Sequence, residues 1–187
     1  DDTLVKVSGL KKYALSKEGN TLCYLSKKTI NTKGWRPFSK SKPSKKVNLL
    51  RVYTDYPKLF LELECVTDFM LSEDGNRLAV LQELTIDKEK SYSISVYDLR
   101  SKNPVREFDQ AEKFKLSRWS ASADKFAFYQ SQDTSLENYE LYVYDFKTNK
   151  STIIGAEFIE ALNYGDSLPS IHQKPLFSKD EQNMVFG

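Results

Sequence analysis

Two cysteines, one histidine and seven glycines in 187 residues set the first limits on this chain. Cysteines without a Cys-x-x-Cys spacing or histidine partners make neither a zinc site nor a disulfide framework. Each lies in an apolar, strand-like run, Leu22-Cys23-Tyr24 and Glu64-Cys65-Val66. Buried reduced thiols are expected there, which fits a reducing, cytoplasmic compartment. The histidine, His172, sits in the polar link Ser170-Ile171-His172-Gln173, away from any Gly-x-Ser-x-Gly elbow. The glycines never cluster into a phosphate-cradling loop. No apolar run approaches the roughly 18 residues of a membrane span. The opening Asp1-Asp2-Thr3 has neither the basic nor the apolar region of a signal peptide. It also lacks an initiator methionine, so further sequence upstream is expected. These absences exclude the common catalytic, metal and cofactor motifs, and the expectation is a protein that is not an enzyme and binds no cofactor.

What the chain has in quantity is aromatic side chains, 13% of all residues with eleven Tyr and eleven Phe, a bias suited to strands. It also repeats. Tyr13-Ala14-Leu15-Ser16-Lys17-Glu18-Gly19-Asn20 lines up with Phe69-Met70-Leu71-Ser72-Glu73-Asp74-Gly75-Asn76, with Leu116–Asp124 and with Pro175–Gln182. The shared serines at 16, 72, 120 and 178 are 56, 48 and 58 residues apart. In each copy a short apolar strand ends in a serine whose hydroxyl can bond nearby backbone. Polar residues with Gly or Asp then make a turn. The chain turns apolar again at Leu22, Leu78, Phe126 and Met184, so the unit begins as a hairpin.

A third strand ends in tyrosine at Tyr53, Tyr97 and Tyr144, followed directly by Asp98 and Asp145 in the later two copies. A fourth strand follows at 59–63, 105–108 and 151–154. Four strands in a unit of about 40–50 residues predict a propeller blade. The fold class expected is therefore all-β, a β-propeller fragment of four-stranded antiparallel blades, three complete and a fourth truncated. Blade one covers about 10–64, blade two 65–110 and blade three 111–156, with the start of blade four at 157–187. Open strand edges would need covering, so the remainder of its own propeller is an expected partner.

The copies disagree most in blade one. Between its second and third strands about 12 residues are extra, within 27–46. That stretch carries Lys27, Lys28, Lys33, Arg36, Lys40, Lys42, Lys45 and Lys46 with no acidic residue; taking these eight charges from the formal +2 leaves −6 for the rest. A polycationic loop interleaved with Trp35 and Phe38 can neutralise phosphates and stack on unpaired bases. These ten residues are the candidate contacts for RNA or an acidic protein surface. The corresponding segments 83–92 and 131–139 should emerge on the same rim.

The Tyr-Asp ending resembles the Trp-Asp dipeptide of WD40 repeats, although the Gly-His pair of that family is absent. A second resemblance rests on Leu71–Val80, then Ile94-Ser95-Val96-Tyr97-Asp98-Leu99, Val105–Phe108 and Phe114-Lys115-Leu116-Ser117-Arg118-Trp119-Ser120. Over roughly residues 10–130 this pattern is similar to the propeller of eukaryotic translation initiation factor 2A. It resembles the b subunit of initiation factor three more distantly. That resemblance implies docking on a small ribosomal subunit through protein and RNA contacts; no membrane partner is expected, since the sequence has no apolar run of spanning length. The competing classes are a general protein-interaction propeller, a TolB-type propeller, and the propeller of a prolyl-oligopeptidase-type enzyme.

Overall fold

A computed structural model describes residues 6–31, 44–55, 57–86, 89–101, 103–109, 111–133, 139–155, 171–172 and 174–185, with backbone alone at 30, 31, 44, 45 and 86. Among them every regular element is a strand and none is a helix. The first sheet comprises β1 (Leu10–Leu15), β2 (Thr21–Asn31), β3 (Ser44–Thr54) and β4 (Leu59–Glu64). The second comprises β5 (Val66–Leu71), β6 (Arg77–Ile86), β7 (Glu89–Asp98) and β8 (Pro104–Phe108). The third comprises β9 (Lys113–Trp119), β10 (Lys125–Ser131), β11 (Tyr139–Asp145) and β12 (Lys150–Ile154). A hairpin of β13 (Leu176–Phe177) and β14 (Met184–Val185) follows. Each four-stranded sheet is an antiparallel meander in chain order. Between β4 and β5 only Cys65 intervenes, with φ of 60°.

The sheets stack face to face, which explains why their second strands read as continuous apolar runs rather than alternating ones. Leu78 and Val80 of β6 pack on Cys23, Leu25, Leu50 and Val52 of the first sheet. Ala79 and Leu81, on the opposite face, pack with Trp119, Phe126 and Phe128 of the third sheet. Ala127 and Tyr129 of β10 meet Phe177 and Met184 of the hairpin. Burying each large side chain of this kind contributes about 1.5–3 kcal/mol.

Counted from the repeated serine, residues one before and six after it face the preceding sheet at all three junctions (Leu71 and Leu78, Trp119 and Phe126, Phe177 and Met184), joined by Phe69 and Val80 at the first and Phe128 at the second. The residue seven after it faces the following sheet (Cys23, Ala79, Ala127), as do Ala14 and Met70, two before. Aromatics concentrate between the second and third sheets. There Phe108 lies 4.7 Å from Phe128 and Trp119 4.6 Å from Phe126, while the Trp119 indole N–H donates to the Met70 carbonyl at 3.0 Å. Two of the three tyrosines that end the third strands are inter-sheet residues: Tyr97 joins the cluster between sheets one and two, and Tyr144 packs edge-on against Phe108. Tyr53 instead stacks on Tyr24 of its own sheet, with ring centroids 5.8 Å apart.

Candidate interaction surface

Antiparallel meanders place the β1–β2 and β3–β4 turns on one rim and the β2–β3 hairpins on the other. The turn rim is closed by the repeated serine. In each copy the serine N–H donates to the carbonyl five residues on (Ser16 to Thr21, Ser72 to Arg77, Ser120 to Lys125, Ser178 to Asn183). The N–H of that partner donates back to the serine Oγ at 2.9–3.0 Å. The residue three after the serine has positive φ in all four turns: Gly19 (75°), Gly75 (74°), Ala123 (60°) and Glu181 (57°). Glycine accepts that conformation without cost, whereas Ala and Glu are strained there.

The turns also bond to one another by a repeated rung. The side chain five after each serine donates to the positive-φ carbonyl of the next turn. Thr21 Oγ1 reaches Gly75 O at 3.2 Å and Arg77 Nη1 reaches Ala123 O at 2.8 Å. Lys125 Nζ does the same to Glu181 O. Backbone adds Lys17 N–H to Glu73 O at 3.0 Å. Carboxylates complete this rim. Asp145 accepts the Lys147 and Thr148 N–H groups, and Asp98 accepts Arg100 N–H at 3.0 Å. The Arg100 guanidinium paired with Asp98 holds its carboxyl below the usual range. Lys147, 2.7 Å from Asp124, does the same there, helped by Ser122 and Arg77. The acidic stretch Glu73–Asn76 is satisfied locally: Asp74 accepts the Ser72 hydroxyl at 2.6 Å and Asn76 N–H at 3.1 Å.

The other rim carries the sequence-derived candidates. Lys27, Lys28, Lys45 and Lys46 were expected in a loop but lie on strands. β2 and β3 are 11 residues each and stay paired from Thr21↔Thr54 out to Asn31↔Ser44. Each added residue pair satisfies backbone groups in the ladder, and pairing continues past the buried Val47, opposite Lys28. Lys27, Lys28 and Lys46 are exposed. Register puts Lys46 opposite Thr29 and Lys45 opposite Ile30. Lys27 and Lys46 share one face of the ladder, and Lys28 takes the other. Lys33, Trp35, Arg36, Phe38, Lys40 and Lys42 lie outside the described residues. The equivalent hairpin of the second sheet is different in charge, with Lys90 on Glu83 at 3.0 Å; that lysine holds the Glu83 carboxyl low. Sequence reasoning missed the rungs of the turn rim. Their only signal is the side chain five residues after each serine, and Thr21, Arg77 and Lys125 share no more than a donor.

Cys23 is buried, which pushes its thiol up to about 12, while Cys65 is only half-buried.

No protein-family model matches the sequence, and no curated protein matches it. Solved structures match it in fold. The β-propeller domain of the Trilobed protease from Pyrococcus furiosus, described as having an open velcro topology, superposes with a TM-score of 0.57. The match covers 82% of this chain and 45% of that one at 15% identity. Acylaminoacyl peptidase from Pyrococcus horikoshii superposes with a TM-score of 0.53, over 79% of this chain and 25% of that one at 11% identity. The chain thus spans less than half the length of the first and about a quarter of the second. With these matches and its three stacked antiparallel meanders, the chain has the β-propeller fold.

Proposed function

We propose that the chain is a non-catalytic interaction propeller whose hairpin rim takes the partner, and that the partner at the first sheet is RNA, as on a ribosomal subunit. The observation behind this reading is the basic β2–β3 ladder, which carries exposed Lys27, Lys28 and Lys46 on its outer half, alongside Val47 at the margin of the core. Strands fix the spacing of these charges better than a loop would, so less ordering entropy opposes binding. The test is binding of a fluorescent single-stranded RNA to wild type and to the Lys27→Gln/Lys28→Gln/Lys46→Gln variant, titrated against salt. The variant should bind at least tenfold more weakly at low salt. Its log–log salt slope should fall by about 0.7 for each phosphate that is no longer neutralised. Equal affinity and slope would remove this reading.

The likeness to two archaeal peptidases favours a second reading, the propeller domain of a prolyl-oligopeptidase-type enzyme. In it the propeller shapes access to a hydrolase domain of the same polypeptide and does no chemistry. A fluorophosphonate probe separates the two: it labels the native polypeptide from its source cells under the peptidase reading, and leaves it unlabelled under the RNA reading.

A further inference from the structure

The rule of facing residues makes the outer face of the first sheet unusual. At the junction of sheets one and two, Phe69, three before its serine, is 0% exposed. Trp119, one before its serine, is 8% exposed at the next junction. The same two positions in the first sheet are Tyr13 and Leu15, at 69% and 58%. They pair with Tyr24 and Leu22 in the ladder and face away from the second sheet. An exposed Tyr and Leu are ordinary singly; here both occupy positions that are buried or half-buried in each sheet that has a preceding one (Phe69 and Leu71, Ser117 and Trp119, Pro175 and Phe177).

The turn rim carries the same asymmetry. A Cβ on Gly75 would lie 2.5 Å from Ser16 Cβ, because the preceding turn sits directly on that glycine. At Gly19, which has the same place and the same positive φ, a Cβ would meet nothing within 4 Å. The Gly75, Ala123 and Glu181 carbonyls each receive a side-chain donor from the turn before. Among the described residues no side chain donates to the Gly19 carbonyl.

We propose that this face receives one further propeller blade of the same repeat class, from the same polypeptide. Its own β1–β2 turn stacks on Gly19, with a donor side chain five residues after its turn serine bonded to the Gly19 carbonyl. The occupant is a blade rather than an unrelated surface because three requirements coincide in one sheet: apolar contact at Tyr13 and Leu15, room for a turn over Gly19, and an acceptor at the spacing the three internal rungs use. The matched Trilobed propeller extends beyond the part this chain covers, since the chain accounts for 45% of it. The inference does not depend on what the hairpin rim binds.

Hydroxyl-radical footprinting tests it. Tyr13 and Leu15 should be modified at least tenfold more slowly in the native polypeptide from its source cells, at dilutions where it is monomeric, than in the isolated 187-residue chain. As a second readout, Gly19→Ala should shift the urea midpoint of the native polypeptide about as far as Gly75→Ala does, and should shift that of the isolated chain much less. Tyr13 and Leu15 equally reactive in both forms would overturn the proposal. So would protection that appears only as concentration drives self-association, since the exposed Leu176 and Val185 of another copy's hairpin would then be the cover.

Discussion

The two rims are made by the same strands and behave differently. On the turn rim four copies of one serine close four turns with the same pair of hydrogen bonds, and a rung of one geometry joins each turn to the next. On the hairpin rim the backbone still repeats, Lys27 N–H to Gly9 O and Glu83 N–H to Cys65 O, but the side chains diverge: the first sheet extends a basic ladder and the second pairs Glu83 with Lys90. The difference follows from what each rim must satisfy. Turns stacked over the inter-sheet cores are partly buried, so their backbone groups need internal partners. Hairpins at the margin of the core keep water as a partner, so their side chains are free to differ between copies.

Substitutions can break that comparison, and the largest effect is expected at Gly75. Gly75→Ala combines a positive-φ penalty with a collision against Ser16, and should lower stability by about 2–4 kcal/mol. Gly19→Ala in the isolated chain carries the φ penalty alone, about 1–2 kcal/mol. Urea unfolding of both variants measures the gap, and equal losses would mean that the turns do not press on each other. Ser72→Ala comes next. It strips the Arg77 N–H of its buried acceptor at a cost of about 1–3 kcal/mol, read from calorimetric melting. Ser178→Ala, in a more exposed turn, should cost less.

Acid should act mainly through the turn rim. Asp98 and Asp124 have folded pKa values depressed by Arg100 and Lys147. Their stabilisation is therefore complete above the unfolded value of about 3.9 and is lost as pH falls through the lower folded values. In Asp124→Asn the fall in urea midpoint between pH 5 and pH 2 should be visibly shallower. The smallest effect belongs to the hairpin rim: replacing Lys27, Lys28 and Lys46 by Gln should change stability by no more than about 0.5 kcal/mol per site. A larger loss would show that this ladder is part of the core.

Much of the architecture was legible because both signals behind it are local. The Ser–turn–Gly pattern marks the hairpins, and the runs Leu78–Leu81 and Phe126–Tyr129 mark strands covered on both faces. The third turn kept its geometry without a glycine, Ala123 taking φ of 60°, so the serine was the better marker. The candidate surface was less legible. Composition located the basic stretch, but charge density alone reads as a loop. Pairing of Lys27–Asn31 with Ser44–Asn48 is decided by a ladder that begins more than five residues deeper in the sheet. The resemblance to translation initiation factors drew no support from the comparisons; the two structures described above are the propeller domain of a protease and an acylaminoacyl peptidase.

The sequence by itself determined the repeat, its four strands and its turn chemistry, since each depends on residues within one unit and on their preferred backbone conformations. Only the tertiary structure decided which face of each strand meets which sheet, and that the donor five residues after one serine serves the turn of the next unit. Those contacts join residues some 46 to 56 apart. Thr, Arg and Lys fill the donor position equally well because a carbonyl requires only an aligned N–H or O–H, which leaves no side-chain identity to be read in advance.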